Sequence, residues 1–147
     1  MKSVRWWTRL STLLLAFVVF VGCQIPAQAD SGIDSIFKRY GFPAVSGLTH
    51  LCQQNVYPEN NPGWHITWDA FASASTPSVL VVEYRKKLGD AGLTRERDGG
   101  TWRLPANAAQ IERVLGIVPA GADGPHRSCR KKPPAGSRSI ILVSKRT

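Results

Sequence analysis

His50 stands two residues before Cys52, and His126 stands three before Cys129, so two of the three histidines lie beside two of the three cysteines. Imidazole and thiolate together suggest zinc. The His-x-Cys and His-x-x-Cys spacings are unlike the paired-ligand patterns of structural zinc sites, and such a site needs both thiols free. In an oxidising compartment two thiols of one small domain pair instead. Cys52 and Cys129 are therefore expected to form a disulfide with the imidazoles of His50 and His126 flanking it from either side. Neither a metal nor a cofactor is predicted.

Nucleophilic catalysis needs a Ser or Cys, a His base and an orienting carboxylate. His65 and Asp69 fall on one face of a strand, but four residues along a strand span about 13 Å, beyond hydrogen-bond reach. The chain holds no Gly-x-Ser-x-Gly, no His-Glu-x-x-His and no phosphate-binding loop motif. A carboxylate pair such as Asp69 with Glu83 would meet only through tertiary folding. No catalytic residue is assigned. The residues favour a non-enzymatic binding or structural module; the alternative is a small periplasmic or secreted enzyme in which His50, His65 or His126 acts.

The remaining chemistry is charge. The chain carries a formal net charge of +9, and the excess sits at its two ends. Lys2, Arg5 and Arg9 open it, residues 30–125 are close to neutral, and no acid follows Asp123. Arg127, Arg130, Lys131 and Lys132 crowd around Cys129, so a bridge would hold them in place. A fixed cation cluster attracts phosphates and anionic headgroups, with strong salt dependence. The partners expected are anionic cell-envelope components or a membrane surface. Specific nucleic-acid recognition is not expected, because no aromatic residue follows Arg103 to stack on bases. Trp64 and Trp102 read as contact residues or as core.

The N-terminus says where this chemistry would operate. Three cations precede an apolar run from Leu10 to Val21, broken only by Ser11 and Thr12. Twelve helical residues cover roughly 18 Å, short of the ~30 Å core of a bilayer. Pro26 stops the run, and Ala27-Gln28-Ala29 supplies small side chains for signal peptidase. Residues 1–29 thus read as a signal peptide cut after Ala29, followed by a single exported domain over residues 30–147, periplasmic or secreted. A second reading stays open, since Phe20-Val21-Gly22-Cys23 has the form of a lipoprotein box with Cys23 as the lipidated residue and the protein anchored to a membrane.

The elements that must position these residues follow from periodicity. Ile33, Ile36, Phe37 and Tyr40 have helical spacing, with Gly41 as the stop. Residues 44–57 remain ambiguous. His65–Ser73 alternates as a strand, with Ile66, Trp68, Ala70 and Ala72 on its apolar face. Thr76-Pro77 opens a helix whose buried stripe is Val79, Leu80, Tyr84, Leu88 and Ala91, ending at Gly92. Leu93–Arg97 and Thr101–Leu104 form a hairpin turning at Asp98-Gly99-Gly100. A strand occupies the later half of residues 111–118, a Gly- and Pro-rich loop with Cys129 spans residues 121–137, and Ser139–Ser144 is a core strand. Two short helices on a mostly antiparallel sheet of four to five strands make an α+β fold.

The segments Ile66-Thr-Trp-Asp-Ala-Phe-Ala72, Tyr84-Arg85-x-x-Leu88 with Gly92, and Trp102-Arg-Leu-Pro105 resemble a pattern of small exported bacterial proteins of unknown function, over roughly residues 50–147. The resemblance implies a bacterial source and brings no activity with it.

Overall fold

The structure, a computed structural model, describes residues 30–60, 63–104 and 112–146. Residues 1–29, read above as a signal peptide, and Cys23 among them lie outside the described residues. Helix α1 runs Asp30–Tyr40, strand β1 Leu48–Val56, β2 Ile66–Ser73, helix α2 Pro77–Leu88, β3 Leu93–Glu96, β4 Gly99–Leu104, β5 Arg113–Pro119 and β6 Ser139–Arg146, with a 3-10 turn at Pro125–Ser128. The six strands form one sheet in the order β1-β2-β6-β5-β4-β3, every neighbouring pair antiparallel. The fold is α+β, with more strands than the four to five expected. The ambiguous stretch supplies β1, and the hairpin β1–β2 is joined to the meander β3–β6 by the pairing of β2 with β6.

Local chemistry explains the boundaries. Helix α1 stops in a Schellman turn: Gly41, at φ 73°, donates to the Lys38 carbonyl across 3.0 Å, and Phe42 donates to the Phe37 carbonyl across 3.2 Å. Helix α2 starts where expected, with the Thr76 hydroxyl accepting from the Val79 amide and Pro77 in the first turn. It ends earlier than expected. Gly89, at φ 73°, caps it and donates to the Arg85 carbonyl, while Arg85 is held in turn by a two-pronged pair with Asp90. The buried stripe shifts accordingly: Val81 joins Leu80 and Tyr84, and Val79 and Ala91 are exposed.

The hairpin is also displaced by one position. Glu96 pairs with Gly99, so the turn is Arg97-Asp98 and both glycines belong to β4. Gly99 is required for a different reason than a turn, since a Cβ there would run into the Ile117 carbonyl of β5.

The sheet is covered on both faces. One core joins Phe37 and Tyr40 of α1, Leu80 and Tyr84 of α2, and Phe71, Trp102, Leu115, Ile117, Ile141 and Val143 from the sheet. The second, on the far face, joins Leu51, Trp68, Ala70, Ala72, Cys129 and Ile140. Residues Thr67 to Ser73 are buried without exception. The row of β2 that reads as polar (Thr67, Asp69, Phe71, Ser73) is thus the one beneath the helices. The apolar row lies under the loop that carries Cys129.

Candidate functional site

Two residues of β1 advance the pairing with β2 by only one, since His50 opposes Phe71 while Cys52 opposes Ala70. Leu51 is the extra residue of a β-bulge. In a regular strand His50 and Cys52 would share a face; the bulge separates them. His50 turns toward the helices, its ring 5.1 Å from that of Phe71, and Cys52 turns into the far-side core. The expectation that His50 flanks the disulfide is overturned for this reason. His126 stays near it, buried, with the Cys129 amide donating to its carbonyl.

On the helix face His50 meets Asp69. Its Nε2 lies 2.6 Å from Oδ1 of Asp69, and the Tyr40 hydroxyl donates to Oδ2 across 2.5 Å. Arg39 adds a longer ion pair at 3.9 Å. With Oδ1 of Asp69 as the acceptor, Nε2 of His50 is the donor and Nδ1 is not engaged by the carboxylate. The Asp69 side chain is 0% exposed and that of His50 is 35% exposed. Burial, then the hydrogen bond and charge of Asp69, raise the Tyr40 phenol well above its ordinary value near 10.0. A buried carboxylate with several donors orients whatever donates to it. The set resembles the base–orienter half of a catalytic triad, yet among the described residues no hydroxyl or thiol is hydrogen-bonded to His50.

Beyond Tyr40 the same face turns polar. A cleft of about 300 Å³ opens there, lined by Arg39 and Tyr40 of α1, Gln53 and Asn55 of β1, His65 and Thr67, and Lys145 of β6. His65 is set by stacking on Tyr57, ring centres 5.1 Å apart. It does not meet Asp69, consistent with their separation along the strand.

The opposite face carries the basic loop. Cys52 and Cys129 form a disulfide with a Cα separation of 5.5 Å across 77 residues of sequence, inside the usual bridging range. Gln54 reinforces it by donating to the Ser128 hydroxyl across 2.9 Å. The four cations named in the sequence divide into two pairs. Arg127 binds Asp123 and the carbonyls of Gly121 and Ala122, and Lys132 donates to the carbonyls of Arg127 and Cys129. Arg130 and Lys131 are exposed and make no ion pair among the described residues. Trp102 is fully buried and its indole donates to the Gly89 carbonyl. Trp64 lies against Arg146 in a cation–π contact. Among the described residues no group of three His, Cys, Asp or Glu is placed to hold a metal. No described helix is long and apolar enough to cross a membrane.

Sequence reasoning missed the Tyr40–Asp69–His50 set. Its one available signal was an acid in the middle of a strand rich in aromatic and small residues, a position that burial makes costly unless partners are supplied. Comparison with protein-family models, with curated proteins and with solved structures finds no match to this chain.

Proposed function

We propose that this chain is an exported, non-enzymatic binding module that engages anionic cell-envelope material through its basic C-terminal loop. The observation that carries the reading is the bridge Cys52–Cys129, which ties the loop to β1 and holds its cations against a rigid sheet. Arg127 and Lys132 shape the loop by binding its own carbonyls. Arg130 and Lys131 are the cations left to meet a partner. The bridge fixes the backbone that carries them, so little loop freedom is lost on binding, and their attraction to an anionic surface falls steeply with salt. A disulfide suits an oxidising compartment and hence the export read from the leader.

The test is binding of the oxidised protein to vesicles containing phosphatidylglycerol, at low and high salt. Retention should collapse as salt rises and weaken on the double change Arg130→Glu, Lys131→Glu. Equal retention by that variant would overturn the reading.

A second reading, a small exported enzyme, is favoured by one observation, the 2.6 Å contact of His50 with buried Asp69. There His50 Nδ1 would act as a base on water. Turnover of chromogenic ester, phosphoester or glycoside substrates that vanishes in His50→Gln would support it; turnover indifferent to that change removes it.

A further inference from the structure

On the helix face β5 and β6 change from apolar to basic at the same level, where Arg113 stands opposite Lys145. Phe71, Ile141 and Ile117 lie in one row and Val143 and Leu115 in the next, all beneath the helices. One step further, Thr67 stands opposite Asn55 on one side and Lys145 on the other. Helix α1 stops at Tyr40, and the cleft lies between its last turn and this last row.

The charges there do not cancel. Arg39, Lys145 and His65 all line the cleft. Asp69 touches Arg39 and Tyr40 of the cleft, but its two oxygens are already taken by Tyr40 and His50 and it is fully buried. Among the described residues Lys145 makes no ion pair. Arg39 is half exposed, and its contact with Asp69 is long, at 3.9 Å. The neutral groups are arranged as donors. The Thr67 hydroxyl donates to Asn55 Oδ1 across 2.8 Å, which leaves the Asn55 amide N–H groups available. Two cations with side-chain donors between them form the complement of an oxygen anion.

We propose that this cleft binds the oxyanion head of a small ligand, a phosphate or a carboxylate, between Arg39 and Lys145 with Asn55 as a hydrogen-bond donor. The site is on the opposite face of the sheet from the basic loop and does not depend on it.

The test is a titration of the intact oxidised protein with inorganic phosphate and, separately, with acetate, followed by backbone amide NMR shifts. Saturable shifts confined to Gln53, Asn55, His65, Thr67 and Lys145 are expected with at least one anion. Saturation by phosphate alone assigns a phosphate, and saturation by acetate alone assigns a carboxylate. Lys145→Gln and Arg39→Gln, both at solvent-reached positions, should each weaken binding by roughly tenfold or more, and Arg130→Glu should leave it unchanged. The proposal is overturned if neither anion saturates these amides, if both cleft variants bind as the parent does, or if the shifts centre on residues 127–132.

Discussion

The Tyr40 hydroxyl reaches Oδ2 of Asp69 across 2.5 Å, joining the last turn of α1 to the middle of β2. His50 closes on the other oxygen from β1. One buried carboxylate therefore fastens a helix and two strands, and the cost of burying its charge is offset by the donors around it.

Removing the Tyr40 hydroxyl should expose that dependence. Tyr40→Phe leaves a buried carboxylate short of a donor, and a loss of about 2 kcal/mol is expected in urea unfolding. Tyr84 provides the contrast, since its hydroxyl is buried without a hydrogen-bond partner among the described residues. Tyr84→Phe should leave stability unchanged or raise it by up to about 1 kcal/mol. Equal losses in both variants would contradict the assignment.

Stability should decline at both ends of the pH scale. Burial, followed by the charge of Arg127, lowers the His126 imidazole below its ordinary value of 6.5. The unfolded chain then binds the proton more readily, so stability is full above about 6.5 and is lost as pH falls toward the folded-state value. His126→Gln should flatten the pH 7-to-5 portion of a melting-temperature profile. Tyr40 and Tyr84 are both raised, chiefly by burial. Their contribution is present below the ordinary value near 10.0 and is lost as pH climbs above it. Two of the three tyrosines should stay protonated until the fold opens. Ultraviolet titration would show their tyrosinate signal rising together with unfolding rather than before it.

Reduction should be costly. The bridge spans 77 residues of sequence, and chain entropy assigns such a loop about 4 kcal/mol. Cys52→Ser with Cys129→Ser should lower the denaturation midpoint accordingly and release the Gln54–Ser128 contact. Intact mass of the parent should fall short of the fully reduced form by two hydrogen atoms, and two free thiols would contradict the bridge.

The glycines of the hairpin and of the helix cap should respond differently to alanine. Gly99→Ala drives a Cβ into the Ile117 carbonyl, separating β4 from β5. A loss on the order of 3 kcal/mol is expected, and amide exchange in β4 and β5 should accelerate. Gly89 also has a positive φ, but the space around its missing Cβ is open. Gly89→Ala should cost about 2 kcal/mol, the strain of a positive-φ, extended-ψ backbone that glycine alone adopts readily. A Gly99 variant no worse than the Gly89 variant would refute the close-approach account.

Much of the architecture is written in local patterns. Helical spacing from Ile33 to Tyr40, the Thr76-Pro77 start and the β-branched run Ser139–Ser144 each specify an element because period and capping are properties of neighbouring residues. The cysteine pair follows from composition under the expected loss of the leader, since with Cys23 set aside only Cys52 and Cys129 remain. Which residues face each other is another matter. Pairing register and one inserted residue decide on which side of a sheet a side chain lies, and alternation along a strand does not reveal where the insertion falls. The bulge at Leu51 sends Cys52 to the loop face and His50 to Asp69, and chain folding brings Tyr40 there across 29 residues. Sequence alone determined the two helices, most of the strands though not β1, and the bridge. Tertiary structure decided that the second histidine-bearing motif stays beside that bridge, while the first contributes its histidine to a buried carboxylate on the other side.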